Sequence, residues 1–142
     1  MKRKMLSALS VFALISVLGL TCAFAQEQGV RADVPFAFTV SSSTLPAGNY
    51  SLRPLSQNVW VIQDNEGGPA IMAAVTPNGS NKEADSAKLV FKHAGNSYFL
   101  SQVWCLGQTT AVPASKAERL IERETARNGA KPESVYVLAS LR

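Results

Sequence analysis

Residues 89–107 read LVFKHAGNSYFLSQVWCLG, and large side chains recur at every second position on both sides of Gly95-Asn96. Such alternation is typical of a β-strand with one buried face. A Gly-Asn pair between two such runs suits a type II′ turn, which needs a positive φ at its first residue. The stretch therefore predicts a β-hairpin, with residues 93 and 98, 91 and 100, and 89 and 102 as opposite pairs.

This register assigns the side chains of the hairpin to two faces. The predicted core face collects Leu89, Phe91, His93, Tyr98, Leu100 and Trp104. The other face is more mixed, is expected to be only partly covered, and carries Lys88, Val90, Lys92, Phe99, Ser101, Val103 and Cys105. Along the strand, Cys105 is about 23 Å beyond the partner of His93 and lies on the opposite face. The alternation therefore excludes His93 and Cys105 as a reactive pair.

Strand patterning also occurs outside the hairpin. It is found in 30–40, 50–53, 58–64, 70–76 and 134–141. Turn residues separate these segments, among them Pro46, Gly48 and the run Gly67-Gly68-Pro69. Residues 77–86 contain no large apolar side chain and are predicted to form a solvated loop.

One helix is predicted near 115–128. Ser115 and Glu118 have the spacing of a capping box, and Asn128-Gly129 suits the end of the helix. The sequence therefore predicts a mainly β fold: a small antiparallel barrel or sandwich of about seven strands with one C-terminal helix. The pattern does not decide whether the sheet closes.

The N-terminus has the organisation of a secretory signal peptide. Three basic residues precede an uncharged, largely apolar run, and Ala23-Phe24-Ala25 forms a cleavage site. We therefore expect 1–25 to be removed, leaving 26–142 as a single β-rich domain, secreted or periplasmic, with no transmembrane segment after processing. Cys22 leaves lipid attachment open, although Thr21 before it is unfavourable for that modification.

Processing changes the charge and the cysteine count. The 14 basic residues of the chain fall to 11 without Lys2, Arg3 and Lys4, against 10 acidic residues. A nearly neutral domain does not predict nucleic acid as a partner. Removal of Cys22 leaves Cys105 alone, so that an internal disulfide is excluded; an intermolecular disulfide through Cys105 is predicted if that thiol is exposed.

The sequence offers few groups for catalysis or metal binding. One histidine and one cysteine cannot complete a zinc site, so that no metal and no cofactor are predicted. The loop oxygens lack the order of a calcium loop; they belong to Asn78, Asn81, Glu83 and Asp85. Ser97 and Ser101 lie near His93 in sequence but lack a nucleophile elbow. We therefore expect a non-enzymatic protein.

Two alternatives remain open. A carboxylate-based hydrolase would need two acids to converge, from Asp33, Asp64, Glu66 and Asp85. A small-ligand carrier would use strand-borne aromatic side chains to line the interior of a barrel, and the candidates are Tyr50, Trp60, Tyr98 and Trp104. Large rings on strands more often fill a core. The leading hypothesis is thus a binding or envelope-associated structural role, with a small apolar ligand or an envelope protein as partner.

A resemblance agrees with this view. The segments RADVPFAFTV (31–40), LPAGNYSL (45–52), LVFKHAGNSYFLSQVW (89–104) and SKAER (115–119) together resemble a functionally uncharacterised family of small exported β-rich acidobacterial proteins. The resemblance extends from about residue 30 to residue 127. It implies an exported bacterial location and a single β-rich domain, and it implies neither an activity nor any site residues.

Overall fold

The computed structural model describes residues 29–80 and 86–141. These residues form eleven strands and one helix: β1 Val30–Val34, β2 Phe38–Val40, β3 Ser43–Leu45, β4 Gly48–Ser56, β5 Val59–Asp64, β6 Ala70–Ala74, β7 Thr76–Ser80, β8 Lys88–Ala94, β9 Ser97–Cys105, β10 Gln108–Ala111, α1 Lys116–Arg127 and β11 Glu133–Leu141. The predicted signal peptide, 1–25, lies outside the described residues, as do Asn81, Glu83 and Asp85 of the predicted loop. No helix within the described ranges has the length and apolar character needed to span a membrane.

The predicted fold class is confirmed, with a larger number of strands. Neighbouring strands follow the order β3-β2-β9-β8-β11-β1-β4-β5-β6, and β10 joins β9 to β7. The pairings of the described chain are antiparallel except the one between β2 and β9, where Thr39 lies beside Phe99. The fold is therefore a nearly closed, barrel-like sheet with one helix near its C-terminal end.

Four short strands account for the difference between eleven and about seven. The predicted strand 30–40 is divided into β1 and β2 around Pro35, whose ring nitrogen cannot donate to a ladder. The strand β3 lies inside the predicted turn, and β7 lies mostly in the predicted solvated loop. The turn before β10 places Leu106 and Gly107 at positive φ, a position where Asn, Asp or Gly is usual. β2 continues the alternation of 30–40, whereas β3, β7 and β10 lack apolar alternation, so that the pattern did not reveal those three strands.

One continuous stretch, 70–80, nearly closes the barrel because it has two different neighbours. Its first half, β6, pairs with β5, and the N–H of Val75 still donates to the carbonyl oxygen of Asn58 at 2.9 Å. Its second half, β7, pairs instead with β10, which is the hairpin partner of β9. Where β7 leaves β5, a gap opens beside the end of the β4–β5 hairpin. We call this gap the seam.

The interior of the barrel is filled by apolar side chains from both halves of the sheet. The rings of Phe38 and Tyr50 meet edge to face at 5.2 Å between centroids, and Phe38 and Phe91 do so at the same separation. All three side chains are buried almost completely. Edge-to-face pairs of this kind add stabilisation beyond that of area burial. The core thus consists of interlocking rings around Phe38.

A β-bulge in β9 reverses the predicted faces of its second half. The pairs 93–98 and 91–100 form as predicted, but Leu89 lies opposite Val103 rather than Gln102. Ser101 is the extra residue, and its carbonyl oxygen accepts a hydrogen bond from the N–H of Val112 at 2.8 Å. Because a shift of one residue moves every later side chain to the other face, Cys105 enters the core and Trp104 leaves it.

The helix α1 lies against β8 through an ion-pair cluster. The N–H of Glu118 donates to Ser115 Oγ at 3.1 Å, which confirms the predicted cap. On the strand side, Lys92 Nζ lies 3.1 Å from Glu122 Oε1 and 3.6 Å from Glu118 Oε1. Burial raises the pKa of Glu118 despite the attraction of Lys92. Burial alone would lower the pKa of Lys92, but its hydrogen bond to Glu122 and the two charges raise it.

Tyr50 fixes the turn that precedes β4. Its hydroxyl donates to the carbonyl oxygen of Pro46 at 2.7 Å, and its ring is buried in the core. Burial raises the pKa of Tyr50, and the carboxylates of Asp64 and Glu66 raise it further. The neutral phenol is therefore the form that the folded state prefers.

Replacing Tyr50 by Phe should lower the free energy of unfolding by about 1 kcal/mol at neutral pH, because the hydrogen bond to Pro46 is lost. The pKa of Tyr50 in the folded protein lies above its unfolded value of about 10. The contribution of the neutral phenol to the free energy of unfolding is therefore complete below about pH 10 and is lost as the pH rises through the pKa of the folded protein. Urea unfolding at pH 7, 9 and 11 should show the difference between the native protein and Tyr50→Phe shrinking with pH. Tyr136→Phe, at an exposed tyrosine, is the control and should show no difference. A Tyr50→Phe difference that stays constant or widens would contradict the assignment.

Candidate functional site

A cleft of about 590 Å³ opens at the seam of the barrel. We call it the seam cleft; it is lined by Pro54, Ser56, Gln57, Trp60, Pro77, Gly79, Ser80, Cys105, Gln108, Thr109 and Thr110. Its volume lies within the range of about 300–1,000 Å³ that is usual for small-molecule sites. One wall is the end of the β4–β5 hairpin, and the other wall is formed by β7, β10 and the end of β9.

Irregular pairing shapes both walls of the seam cleft. The register of β4 against β5 shifts between Pro54 and Ser56. On the other wall, the register of β10 against β7 shifts between Gln108 and Thr110, opposite Gly79 at a φ of 89°. Bulges interrupt a ladder and redirect the side chains beside them. The cleft is therefore a consequence of how the barrel closes.

The lining combines apolar surfaces with uncharged polar groups. Trp60, Pro54 and Pro77 provide rigid apolar surface, and the hydroxyls and amides of serine, threonine and glutamine provide hydrogen-bonding groups. None of the eleven described residues that line the seam cleft carries a charge or an imidazole. This composition suits the binding of a small molecule, which needs mostly apolar contact and a few fixed polar groups.

Among the described lining residues, Thr109 is the one with a buried side-chain group that lacks a hydrogen-bond partner. It is 5% exposed, and Thr109 Oγ1 has no hydrogen-bond partner within the described chain. A buried hydroxyl without a partner costs on the order of 1–3 kcal/mol, and such groups are rare in native structures unless a ligand or water satisfies them. Thr109 contributes to the cleft wall, but its Oγ1 has almost no accessible surface, so that this hydroxyl does not by itself mark a ligand contact.

Cys105 lies at the same end of the barrel as Thr109. Its thiol is free, it is 8% exposed, and burial raises its pKa. The thiol is therefore protonated at neutral pH, and the protein surface shields it from another chain. The condition for the predicted intermolecular disulfide, an exposed thiol, is not met in this structure.

The four aromatic candidates do not line one cavity. Tyr50 fills the core and Trp60, 9% exposed, lines the seam cleft. The ring of Tyr98 stacks on Phe36 at 4.0 Å and on His93 at 4.4 Å. Trp104 lies outside the core, where Lys88 Nζ is 3.9 Å from the centroid of its ring. Sequence patterning did not identify Thr109, because a strand of four residues is too short for a pattern that would show which of its hydroxyls is buried.

Two other groups of the described chain that were considered for catalysis, His93 and Asp64, lie away from the seam cleft. His93 and Cys105 lie at opposite ends of the β8–β9 hairpin. Cys105 is seven residues along β9 from Tyr98, the residue that faces His93. Asp64 is the last residue of β5, at the other end of that strand from Trp60. Its Oδ1 accepts a hydrogen bond from the N–H of Glu66 at 2.8 Å. Within the described ranges, no three histidine, cysteine or acidic side chains are grouped so as to hold a metal ion.

A second cavity of about 570 Å³ lies beside α1. It is lined by residues of β2, β3 and β9, including Thr39 and Phe99, and by the first turns of the helix. The buried carboxylate of Glu118 is located in that first turn. Its negative charge offsets the positive end of the helix dipole, so that this helix N-terminus does not favour an external anion. Thr39 Oγ1 is 3.1 Å from Thr44 Oγ1, so those hydroxyls are already paired. The seam cleft is therefore the better candidate.

Comparison of the chain with family models, with curated proteins and with solved structures gave no match.

The thiol of Cys105 should report the character of the seam cleft. In a Cys22→Ser chain, Cys105 is the sole thiol, and its reaction rate with each methanethiosulfonate reagent can be divided by the rate for urea-unfolded protein. The uncharged methyl reagent should then react at least about ten-fold faster than the charged sulfonatoethyl and trimethylammonioethyl reagents, because a charged reagent must lose hydration to enter the cleft. Mass spectrometry of the products gives the rates. Similar normalised rates for all three reagents would show an exposed thiol, and non-reducing gels would then show the dimer that burial prevents.

Proposed function

We propose that the protein is an exported, non-enzymatic domain that binds a small ligand in the seam cleft. The cleft has the volume of a small-molecule site and combines the ring of Trp60 with uncharged hydrogen-bonding groups. The signal peptide expected in 1–25 supports export. The ligand position proposed here differs from the barrel interior expected for a carrier, because rings such as Phe38 and Phe91 occupy that interior.

One observation carries the proposal: the seam cleft has the volume of a small-molecule site and is walled by rigid apolar surface from Trp60, Pro54 and Pro77. Apolar contact with such surfaces stabilises a bound molecule, and side chains that are already held in place lose little conformational entropy on binding. The hydroxyls and amides of the same walls provide hydrogen-bonding groups that can fix the orientation of the ligand.

The residues that line the seam cleft favour the binding of a ligand over its chemical conversion. Among the eleven lining residues that the structure describes, Cys105 is the only nucleophile stronger than a hydroxyl, and burial keeps its thiol protonated. The same described residues include neither an imidazole nor a carboxylate to take a proton from it. Of the four acids considered for a hydrolase, Asp64 ends β5 and Glu66 follows it in the turn, at the end of that strand away from Trp60. Asp33 belongs to β1, and Asp85 lies outside the described residues.

A second candidate, an envelope-associated structural role, is favoured by the outer face of β11. Tyr136 and Leu138 project outward and are 58% and 79% exposed. Lys88 Nζ lies 5.4 Å from the ring centroid of Tyr136 and also covers Trp104. Exposed apolar side chains next to one another can mark a contact surface. Association through this face would not require the seam cleft.

Binding can be measured with N-phenyl-1-naphthylamine, an uncharged two-ring fluorophore whose emission rises in apolar surroundings. Titration of the purified protein should give a saturable signal, because the cleft provides apolar walls of the required size. Ser56→Phe places a ring into the cleft from an exposed position and should weaken binding at least about ten-fold, or 1.4 kcal/mol.

Ser134→Phe is the matched control. It makes the same chemical change at an exposed position of β11, away from the seam cleft. Its binding curve should equal that of the native protein, and circular dichroism should show that both variants are folded. Absence of saturable binding, or equal binding by Ser56→Phe and the native protein, would refute a ligand site in the seam cleft. Loss of binding in Ser134→Phe alone would instead favour the outer face of β11.

A further inference from the structure

We propose that the edge of β6 that faces away from β5 binds an extended peptide segment of another protein by strand addition. The peptide lies in the second cavity, beside α1, and continues the ladder that β10 makes with β7. This site is separate from the seam cleft, so that the proposal does not depend on a small ligand there.

The backbone of β6 is paired on one side only. The N–H of Val75 donates to the carbonyl oxygen of Asn58, and hydrogen-bonded pairs alternate with other pairs along an antiparallel ladder. The N–H and C=O groups of every second residue before Val75 therefore point away from β5. These residues are Ala70, Met72 and Ala74. In the described chain β6 pairs with no strand other than β5, and we call this side of β6 the free edge.

The same side of the stretch 70–80 is already paired further along. Thr76, the next residue with this orientation, lies opposite Ala111 of β10. After Ala111 the chain leaves the ladder, because the N–H of Val112 donates to Ser101 of β9 and the following residues lead to α1. The free edge therefore begins where β10 ends, and an added strand extends an existing ladder.

A second strand with unpaired backbone groups lines the same cavity. Val40 and Ser43 close the two-residue turn between β2 and β3, so that they form a hydrogen-bonded pair. The N–H and C=O groups of Thr44, the next residue, therefore point away from β2. Thr44 and Ala74 both line the second cavity, whose volume is about 570 Å³. A peptide in this cavity thus lies beside backbone donors and acceptors from two strands.

An extended peptide is the occupant that matches these groups. Donors and acceptors that recur at every second residue are complementary to the backbone of another strand, which is the basis of peptide recognition by strand addition. β6 contains no charged residue, proline or bulge, which are features that protect exposed edges from pairing. Side chains of an added strand alternate between two faces, and the cavity offers the apolar side chains of Phe99 and Ile121. The peptide is therefore a segment of about five residues with apolar side chains at alternate positions.

The described chain continues into undescribed residues at positions away from the free edge. Ser80 is six residues beyond Ala74, about 20 Å along an extended chain. Gly29, Ser86 and Leu141 adjoin β1, β8 and β11, and β4 and β5 lie between these strands and β6 in the order of the sheet. This separation leaves the free edge to a partner chain.

A synthetic strand tests the site. The probe is fluorescein-Gly-Gly-Thr-Val-Thr-Val-Thr-amide, whose valine and threonine residues favour extended structure. Fluorescence anisotropy should show saturable binding to the purified protein. Met72→Pro removes an N–H that the peptide needs and should weaken binding at least about ten-fold. Because that N–H makes no bond to β5, proline on this edge strand should leave the fold intact, as circular dichroism can show.

Met72→Ala is the matched control, because it shortens the same side chain and keeps the N–H. Its affinity for the probe should equal that of the native protein. Ser56→Phe, which blocks the seam cleft, should also leave peptide binding unchanged, so that the two sites can fail separately. Absence of saturable binding, or equal binding by Met72→Pro and the native protein, would overturn the proposal.

Methylated peptides test strand addition without changing the protein. One peptide is N-methylated at both valines and the other at all three threonines, so that each lacks the donors along one of its two edges. At least one of them should bind the native protein about ten-fold more weakly than the probe, and equal affinity for all three peptides would overturn strand addition. A native dimer that Met72→Pro abolishes, without peptide binding, would assign the free edge to a second copy of the chain and overturn the proposal.

Discussion

The structure depends on one constraint: the stretch 70–80 must satisfy two neighbours that are not aligned with each other. Its first half continues the ladder begun by β5, and its second half pairs with β10. Each half therefore pairs its backbone with one neighbouring strand, and the continuous stretch links the two ends of the sheet. The chain cannot follow β10 without leaving the end of the β4–β5 hairpin. Near-closure of the barrel and opening of the seam cleft are thus two results of the same change of partner.

The bulge at Ser101 determines which side chains meet at that opening. Before Ser101, β9 directs Leu100 into the core, and after it Val103 and Cys105 point inward. Without the extra residue, Trp104 would occupy the interior near the seam. The bulge places this large ring on the outer face, beneath Lys88, and leaves smaller side chains at the inner end of β9. Space for a cleft therefore depends on one inserted residue as well as on the strand change.

Much of the fold could be predicted from the sequence, because apolar alternation and turn residues act locally. The β8–β9 hairpin, its first two register pairs and the positive φ of Gly95 all follow from LVFKHAGNSYF. The bulge could not be predicted, since the carbonyl oxygen of Ser101 accepts from the N–H of Val112 just after β10, a strand that apolar alternation did not reveal. Of the residues that line the seam cleft, Trp60 and Cys105 were singled out from the sequence, but for other roles. Thr109 lies on a short polar strand whose pairing with β7 is fixed only by the tertiary fold.

Nuclear Overhauser contacts across the two ladders test most directly whether one stretch nearly closes the barrel and forms the seam. Backbone contacts between Ala74 and Val59 and between Thr76 and Ala111 should both occur within a single chain. In a mixture of differently labelled chains, none of these contacts should join two molecules. Absence of the contact between Thr76 and Ala111, or its appearance only between molecules, would contradict the account, because the seam cleft would then lack one of its walls.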